Sequence, residues 1–358
     1  MSSRKTAGFL TGVLLIAAAL ALLWVAKVER IPGNVAYVTE ENGGLSVIDL
    51  NKLQVIRRIR PKDVAPRGIG ITFDGQFVIT ANKDTADAAV FSTRRLHLVQ
   101  RIPVGDNPEF VKFHPSGQWF FTSYEPGSTA GPPTEPSGAD EEEEENEPPA
   151  QIVQFHVPSW TRVKSFTAGM ETEGLEFSRD GKYLIVANEA LNTIGVYEVD
   201  SGKGVRTLDL KTYGSRPRGI KVSPDGNSYA CTMEASGTLL KLDQNFNVIK
   251  TVATAAKPYG VSFDRAGQRI FVATAAAKKL QIYSANSLQL IGEAPIGQRC
   301  WHFTFTPDDS KLLLACGRSN AVFVIDAKTY QLIKVLGGFQ MPWGIITYPR
   351  SFGSLGLP

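Results

Sequence analysis

The chain has 358 residues, of which 43% are hydrophobic and 20% charged, and its formal net charge is +3 at pH 7. This hydrophobic content is ample for a large core. A charge so close to neutral, without a basic stripe, a zinc-finger spacing or a helix-turn-helix pattern, excludes nucleic acid as an expected partner.

The first predicted element is an apolar segment at residues 8–26, which carries no charge. Arg4 and Lys5 precede it, and Lys27 ends it. Its nineteen residues are about enough to cross a bilayer as a helix. Basic residues before such a helix place the N-terminus in the cytoplasm and the rest of the chain outside.

We therefore expect a cytoplasmic N-terminus at residues 1–7, a single membrane anchor at 8–26 and a linker at 27–33. The location expected for the rest of the chain is the periplasm, with the anchor in the cytoplasmic (inner) membrane. A cleaved signal peptide is the alternative, because "ALA" at 19–21 has the small residues that cleavage requires.

A turn signal then recurs along the chain. In "SPDG", residues 223–226, Pro224 presets the first corner of a type I turn, and Gly226 accepts the left-handed conformation that follows. Related turns stand at 72–76, 114–118, 178–182, 264–268 and 306–310. The period of about 40–50 residues, with four short strands in each unit, is the signature of a β-propeller.

The order of the strands indicates how the ring closes. Each unit has an inner strand before the turn, such as "RGIKV", and three further strands after it. The first unit begins at Asn34 without its inner strand, and a spare inner strand, "MPWGIIT", ends the series at 341–347. The sequence thus predicts an all-β, seven-bladed propeller over 34–349, closed by its C-terminal strand and followed by a tail at 350–358.

Blade 3 contains an acidic, proline-rich insertion at residues 129–150. Proline, glycine and like charges cannot form a core, so we expect a disordered, solvated loop. The alternative is a flexible acidic arm that engages a basic partner or screens the channel.

The repeats "YVTEENGGLSVIDL" and "YLIVANEALNTIGVYEVD" resemble the YVTN-repeat family of seven-bladed propellers across residues 34–349. The stretch from "IGQRCWHFTFTPDDS" to "GGFQMPWGI" is most similar to the branch associated with quinoprotein (PQQ-dependent) alcohol catabolism. That resemblance implies an exported accessory protein.

Alignment of the repeats brings one set of side chains to one mouth of the central channel, where propellers usually bind their ligands. The starts of the inner strands supply Arg67, Glu109, Glu173, Arg218, Tyr259, Trp301 and Trp343, and His302 replaces a repeat glycine beside Trp301. The ends of the second strands add Glu41, Lys83, Glu125, Glu189, Glu234 and Arg318.

These mouth residues predict a ligand-binding or partner-binding site. Three alternatives stay open. The charged residues could form a structural rim of mutual ion pairs, or their carboxylates could hold a catalytic calcium ion, an arrangement similar to that of propeller lactonases. Trp301 and Trp343 could simply pack against the inner wall. The sequence assigns no catalytic residue, metal ligand or cofactor.

The three cysteines are Cys231, Cys300 and Cys316. If Thr306 pairs with Ser310 across the turn of blade 7, six steps along each strand bring Cys300 opposite Cys316, which predicts a possible disulfide. Buried free thiols are the alternative.

From these features the sequence favours a non-catalytic binding or assembly subunit of a membrane or periplasmic protein complex, with the membrane and one or more proteins as partners. A metal-assisted, lactonase-like hydrolase is one alternative. An accessory protein of a quinoprotein dehydrogenase, or of another periplasmic redox system, is the other.

Overall fold

The structure is a computed structural model that describes residues 31, 33–62, 64–127 and 148–356. The expected N-terminus and anchor therefore lie outside the described residues, as does most of the acidic insertion. Within the described ranges, no helix combines the length and the apolar character needed to cross a membrane.

The described chain is built almost wholly of β-strands. The strands are β1 (Val35–Glu40), β2 (Gly44–Asp49), β3 (Gln54–Ile59), β4 (Pro66–Ile71), β5 (Phe77–Asn82), β6 (Asp87–Ser92), β7 (His97–Pro103), β8 (Lys112–Phe113), β9 (Trp119–Tyr124), β10 (Gln151–His156), β11 (Arg162–Thr167), β12 (Thr172–Phe177), β13 (Tyr183–Asn188), β14 (Thr193–Glu198), β15 (Gly204–Asp209), β16 (Pro217–Val222), β17 (Ser228–Met233), β18 (Thr238–Asp243), β19 (Val248–Ala253), β20 (Pro258–Phe263), β21 (Arg269–Thr274), β22 (Lys279–Ser284), β23 (Leu290–Pro295), β24 (Cys300–Phe305), β25 (Lys311–Cys316), β26 (Ala321–Asp326), β27 (Leu332–Gly337) and β28 (Pro342–Tyr348). One short 3-10 helix, Gly317–Ser319, follows β25.

These strands form seven four-stranded antiparallel sheets, the blades. Six blades use four consecutive strands, whereas the first has the order β28-β1-β2-β3. The C-terminal strand β28 pairs with β1, so that Tyr37 lies opposite Ile346. The predicted seven-bladed propeller is therefore confirmed, and β28 closes its ring.

The repeated turn folds the first two strands of each blade into a hairpin. In blade 5, the Gly226 amide donates to the Ser223 carbonyl (2.9 Å), and Gly226 has a φ of 78°. The Asp225 carboxylate accepts hydrogen bonds from the Ser223 hydroxyl (2.5 Å) and the Asn227 amide (3.1 Å), which lower its pKa. A glycine meets the left-handed φ without strain, which explains its recurrence at this position.

The register in blade 7 differs by one residue from the sequence prediction. The Thr306 amide donates to the Lys311 carbonyl (2.9 Å), so the turn contains four residues and Ser310 is not the partner of Thr306. A bulge then adds one residue to the inner strand near its start. The two differences cancel, and Cys300 lies directly opposite Cys316.

The core consists of apolar clusters between neighbouring blades. Between blades 4 and 5, for example, Ile185, Val196, Ile220 and Leu240 are buried together. The inner strands converge so closely at the axis that a Cβ on Gly174 would overlap a backbone carbonyl oxygen of the next blade. This crowding explains why most inner strands have a glycine one position after the mouth residue.

We call the channel end at the starts of the inner strands the mouth, and the opposite end, at the hairpin turns, the floor. Residues 350–356 do not lie outside the propeller but run from the floor into the channel. The Phe305 amide donates to the Phe352 carbonyl and the Ser354 amide to the Phe303 carbonyl, both at 2.9 Å. Phe352 is only 7% exposed, so this tail is part of the folded core.

Candidate functional site

Bulges in the inner strands aim the mouth residues. In blade 5, Arg218 and the next residue lie between the pairs Pro217–Met233 and Ile220–Cys231, where the partner strand has only one residue. Similar bulges interrupt the inner hairpins of blades 2, 4, 6 and 7. An extra residue on one strand re-aims the side chain at that point.

The mouth has two chemically different halves. Blades 2–5 supply what we call the charged half: Arg67, Glu109, Glu173 and Arg218. Blades 6, 7 and 1 supply the aromatic half: Tyr259, Trp301 and Trp343. All seven are buried except Glu173, whose side chain is 14% exposed.

Arg67 organises one end of the charged half. Its Nε donates to Glu41 (2.9 Å), and its Nη1 forms an ion pair with Glu109 and a long hydrogen bond to Asn107 (3.4 Å). The Asn107 amide in turn donates to Glu125 (2.8 Å). Nη2 of Arg67 makes no hydrogen bond to any described residue, so it is free to donate to a ligand.

Arg218 organises the other end. Its Nε donates to Glu234 (2.5 Å) and lies 2.7 Å from Glu189, a contact close enough for an ion pair but without hydrogen-bond geometry. Nη1 of Arg218 pairs with Glu173, and Arg216 also contacts Glu189. As with Arg67, Nη2 of Arg218 has no hydrogen bond to the described part of the chain.

The carboxyl groups in the mouth are not equivalent. Burial, reinforced by the Glu173 charge, raises the pKa of Glu109 to about 8 even though Arg67 opposes the shift. Burial also raises the pKa of Glu173, but Arg218 outweighs it, and the net pKa lies below the ordinary value. Oε2 of Glu109 has no hydrogen-bond partner among the described residues. Burial raises the pKa values of Glu125 and Glu189 as well, so the mouth contains three carboxyl groups with raised pKa values beside Glu173, whose pKa is lowered.

The aromatic half is connected to the charged half. The Tyr259 hydroxyl donates to Glu173 (2.9 Å), and the Arg218 guanidinium lies 5.1 Å from the centre of the Tyr259 ring. Arg299 lies 5.6 Å from the Trp301 ring. These contacts pack buried aromatic rings against the charged donors and acceptors of the mouth.

His302 lies just below the mouth among aromatic rings. Its ring centre is 4.4 Å from that of Trp343, 5.6 Å from Tyr259 and 6.1 Å from Phe110. Nδ1 contacts the Ser354 hydroxyl (3.1 Å), whereas Nε2 has no partner among the described residues. Burial lowers the pKa of His302 to about 3, so the imidazole is neutral at physiological pH.

Two of the three cysteines lie next to the aromatic half of the mouth. Cys300 and Cys316 form a disulfide that joins β24 to β25 directly before Trp301. Cys231 is a buried free thiol, and burial raises its pKa to about 12. The disulfide thus fixes the start of the inner strand that carries Trp301.

Sequence alignment missed a second row of polar residues, two positions before the mouth residues. This row comprises Asn107, Glu171, Arg216, Lys257 and Arg299, and all five have a left-handed φ between 46° and 61°. Seventeen described non-glycine residues have a positive φ, many of them in turns between strands, so this conformation is a feature of the repeat and does not by itself mark the site. The constant offset from the mouth residues was the signal that could have revealed them.

The carboxylates of the mouth are paired with guanidinium groups and are not gathered around a common centre. Among the described residues, no three His, Cys, Asp or Glu side chains are grouped in a way that could hold a metal ion. The carboxyl and guanidinium groups of the mouth can form hydrogen bonds, transfer protons and stabilise negative charge.

Comparison with known proteins agrees with this fold. The family model described as "Lactonase, 7-bladed beta-propeller" matches residues 156–245, and the matching model is neither the YVTN-repeat family nor the quinoprotein-associated branch. No curated protein matches the sequence.

Solved structures match over most of the chain. A functionally unknown protein from Desulfotomaculum acetoxidans has a TM-score of 0.74 at 14% identity, covering 88% of this chain and 98% of that one. The periplasmic gluconolactonase of Pseudomonas aeruginosa has a TM-score of 0.69 at 16% identity, with 88% and 99% covered. A candidate 6-phosphogluconolactonase of Bacteroides uniformis has a TM-score of 0.69 at 17% identity, with 88% and 100% covered.

At these identities the matches establish the shared fold. The protein is a seven-bladed β-propeller whose channel mouth combines paired arginines, unequal carboxyl groups and aromatic rings. Its structural neighbours include proteins described as lactonases.

Proposed function

We propose that this propeller hydrolyses a lactone at the mouth of its channel. The observation that carries the proposal is Glu109, a carboxyl group with a pKa of about 8, an unpartnered oxygen and an arginine beside it. A group that titrates near the working pH is suited to general base and general acid catalysis. The partial family match and the lactonase-like neighbours support the same reaction class.

The reaction uses side chains that the mouth already positions. The ionised Glu109 accepts a proton from water while the water oxygen attacks the lactone carbonyl carbon. The free Nη2 groups of Arg67 and Arg218 donate to the carbonyl oxygen as its negative charge develops. The ring C–O bond then breaks, and Glu109 returns the proton to the leaving oxygen. The products are a hydroxy acid and the regenerated enzyme.

The other mouth residues support this arrangement. Glu173 and Glu41 hold the two arginines, and their contacts leave Nη2 free. Tyr259 and Trp301 are buried and form the apolar part of the mouth beside the charged half. The proposal thus reassigns the predicted binding site as a catalytic site and involves no metal ion.

We also propose that the catalytic domain lies outside the cytoplasm, as the sequence predicts. The Cys300–Cys316 disulfide supports this location, because disulfides persist mainly in oxidising compartments.

The test is hydrolysis of glucono-δ-lactone and γ-butyrolactone by the purified full-length chain. The rate is measured from the acid that the reaction releases. We expect saturable hydrolysis of at least one lactone and a fall in kcat of about 10²–10⁴-fold in Glu109→Gln. Glu198→Gln is the matched control, because Glu198 is exposed at the end of an outer-facing strand away from the mouth. Wild-type rates equal to buffer, or equal rates in the two variants, would overturn the proposal.

A further inference from the structure

We propose that the floor of the channel contains a second site, which binds a small carboxylate with an apolar body. This site lies at the opposite end of the channel from the mouth and does not depend on the proposed hydrolysis.

A cavity of about 40 Å³ opens at the floor between the inner strands and the C-terminal tail. Its polar lining includes Lys112, Glu176 and Arg350. Its apolar lining includes Phe113 and Leu355. A single buried water needs about 10–15 Å³, so the cavity has room for a head group of a few heavy atoms.

Arg350 is the strongest indication of a ligand. Its guanidinium stacks 3.6 Å from the centre of the Phe73 ring, but it has no hydrogen bond or ion pair with any described residue. Burial lowers the pKa of Arg350 to about 10. The residue is still partly exposed, so its five N–H donors are available to water or to a ligand in the cavity.

Two lysines add to this excess of positive charge. Lys112 and Lys221 both bind Glu176, at 2.9 and 3.0 Å, and they share the Gly356 carbonyl oxygen, at 3.4 and 2.8 Å. Burial, together with the Lys112 charge, lowers the pKa of Lys221 to about 7. Among the described residues that line the cavity, two cationic groups, Lys112 and Arg350, accompany one carboxylate, Glu176. An anion in the cavity would supply the missing charge.

The shape and lining favour a carboxylate. The planar fork of an arginine matches the two oxygens of a carboxylate, and its stacking on Phe73 fixes the plane of the fork. Apart from Thr347 and Ser351, the remaining walls are apolar, and Ile71, Val111 and Phe177 would contact the body of the ligand. Butyrate is therefore a suitable probe, and inorganic phosphate and chloride test whether any anion suffices.

The experiment is calorimetric titration of the full-length chain with butyrate, phosphate and chloride. We expect saturable butyrate binding that is at least tenfold weaker in Arg350→Gln and unchanged in Arg162→Gln, an exposed arginine on β11. Lactone hydrolysis should be unaffected by Arg350→Gln, which separates this inference from the proposed function. Absence of saturable butyrate binding, or equal binding by both variants, would overturn the site. Phosphate binding without butyrate binding would overturn the carboxylate assignment.

A second measurement needs no substitution and so avoids any effect on folding. Butyrate added to the isotope-labelled wild-type chain should shift the amide signals of Phe113, Leu355 and Gly356. Shifts confined to the mouth, or no shifts at saturating butyrate, would contradict binding at the floor.

Discussion

At the scale of single residues, Arg218 has the largest electrostatic role in the mouth. It contacts Glu173, Glu189 and Glu234, which come from two neighbouring blades. A buried pair adds little stability compared with apolar packing, but removal of one partner leaves the other charge buried and uncompensated. Here a single substitution would leave Glu173 and Glu234 without an ion-pair partner, whereas Glu189 would keep its contact with Arg216.

We therefore expect Arg218→Met to lower the free energy of unfolding at pH 7 by about 3–5 kcal/mol. Chemical denaturation of the purified protein measures this change. Arg162→Met is the control and should change stability by less than about 0.5 kcal/mol, because Arg162 is exposed. Equal midpoints for the two variants would contradict the role given to Arg218.

The loss of stability in Arg218→Met should depend on pH. Arg218 holds the pKa values of Glu173 and Glu234 below their ordinary values, so its contribution is present above the unfolded-state pKa and is lost as pH falls through the folded-state pKa. Without Arg218, the two groups can be buried as neutral acids at low pH. Unfolding curves should show that the difference in the free energy of unfolding between wild type and Arg218→Met becomes smaller from pH 7 to pH 4. A constant difference would contradict this account.

At the scale of elements, the sequence predicted the strands and turns well but not their register. The sequence assigns the turn "TPDDS" one residue too few. The glycine-containing turn of blade 5 has the same four-residue loop, since the Ser223 amide donates to the Ser228 carbonyl (2.8 Å), so local turn chemistry alone does not give the loop length. The bulge at the start of the inner strand comes from packing at the crowded axis and leaves no local signature. Both features were needed to place Cys300 and Trp301.

The C-terminal tail is the element that the sequence left unplaced. It has no periodic pattern, and its partners are distant in the sequence: Phe352 packs with Phe271 and Leu312 in one cluster, and Ser354 contacts His302. Only the assembled ring creates the channel into which residues 350–356 fit.

We expect Phe352→Ala to destabilise the protein by about 3–5 kcal/mol, because Phe352 is buried and its removal leaves a cavity. Tyr213→Ala is a matched aromatic control, because Tyr213 is 40% exposed. Thermal and chemical denaturation should both rank the two variants in this order. A Phe352→Ala protein as stable as wild type would show that the tail is not part of the core.

At the scale of the whole molecule, closure of the ring by β28 brings the mouth together. Trp343 lies on β28, and Arg67 belongs to the next blade around the ring. In the sequence, the first unit lacks its inner strand and the series ends with an extra inner strand at 341–347. This match was sufficient to predict the closure. It could not predict which carboxyl group would be protonated, because the pKa of Glu109 depends on burial and on charges from other blades.

Deletion of residues 341–358 should abolish cooperative unfolding. The deletion removes the inner strand of blade 1 and exposes the edge of β1 as a template for aggregation. Calorimetry and size-exclusion chromatography measure both effects. A truncated protein that melts cooperatively as a monomer, at the wild-type temperature, would show that β28 is not needed for the ring.

The most direct test of the account is the pH dependence of lactone hydrolysis by the mouth. The ionised form of Glu109 is the base, so kcat/KM of the wild-type chain should rise with pH and level off above a midpoint near 8. In Glu109→Gln the rate should be low and should lose this rise, while Glu198→Gln should keep the wild-type profile. A wild-type profile that is flat between pH 6 and pH 9, or a Glu109→Gln variant that retains the rise, would contradict the central claim.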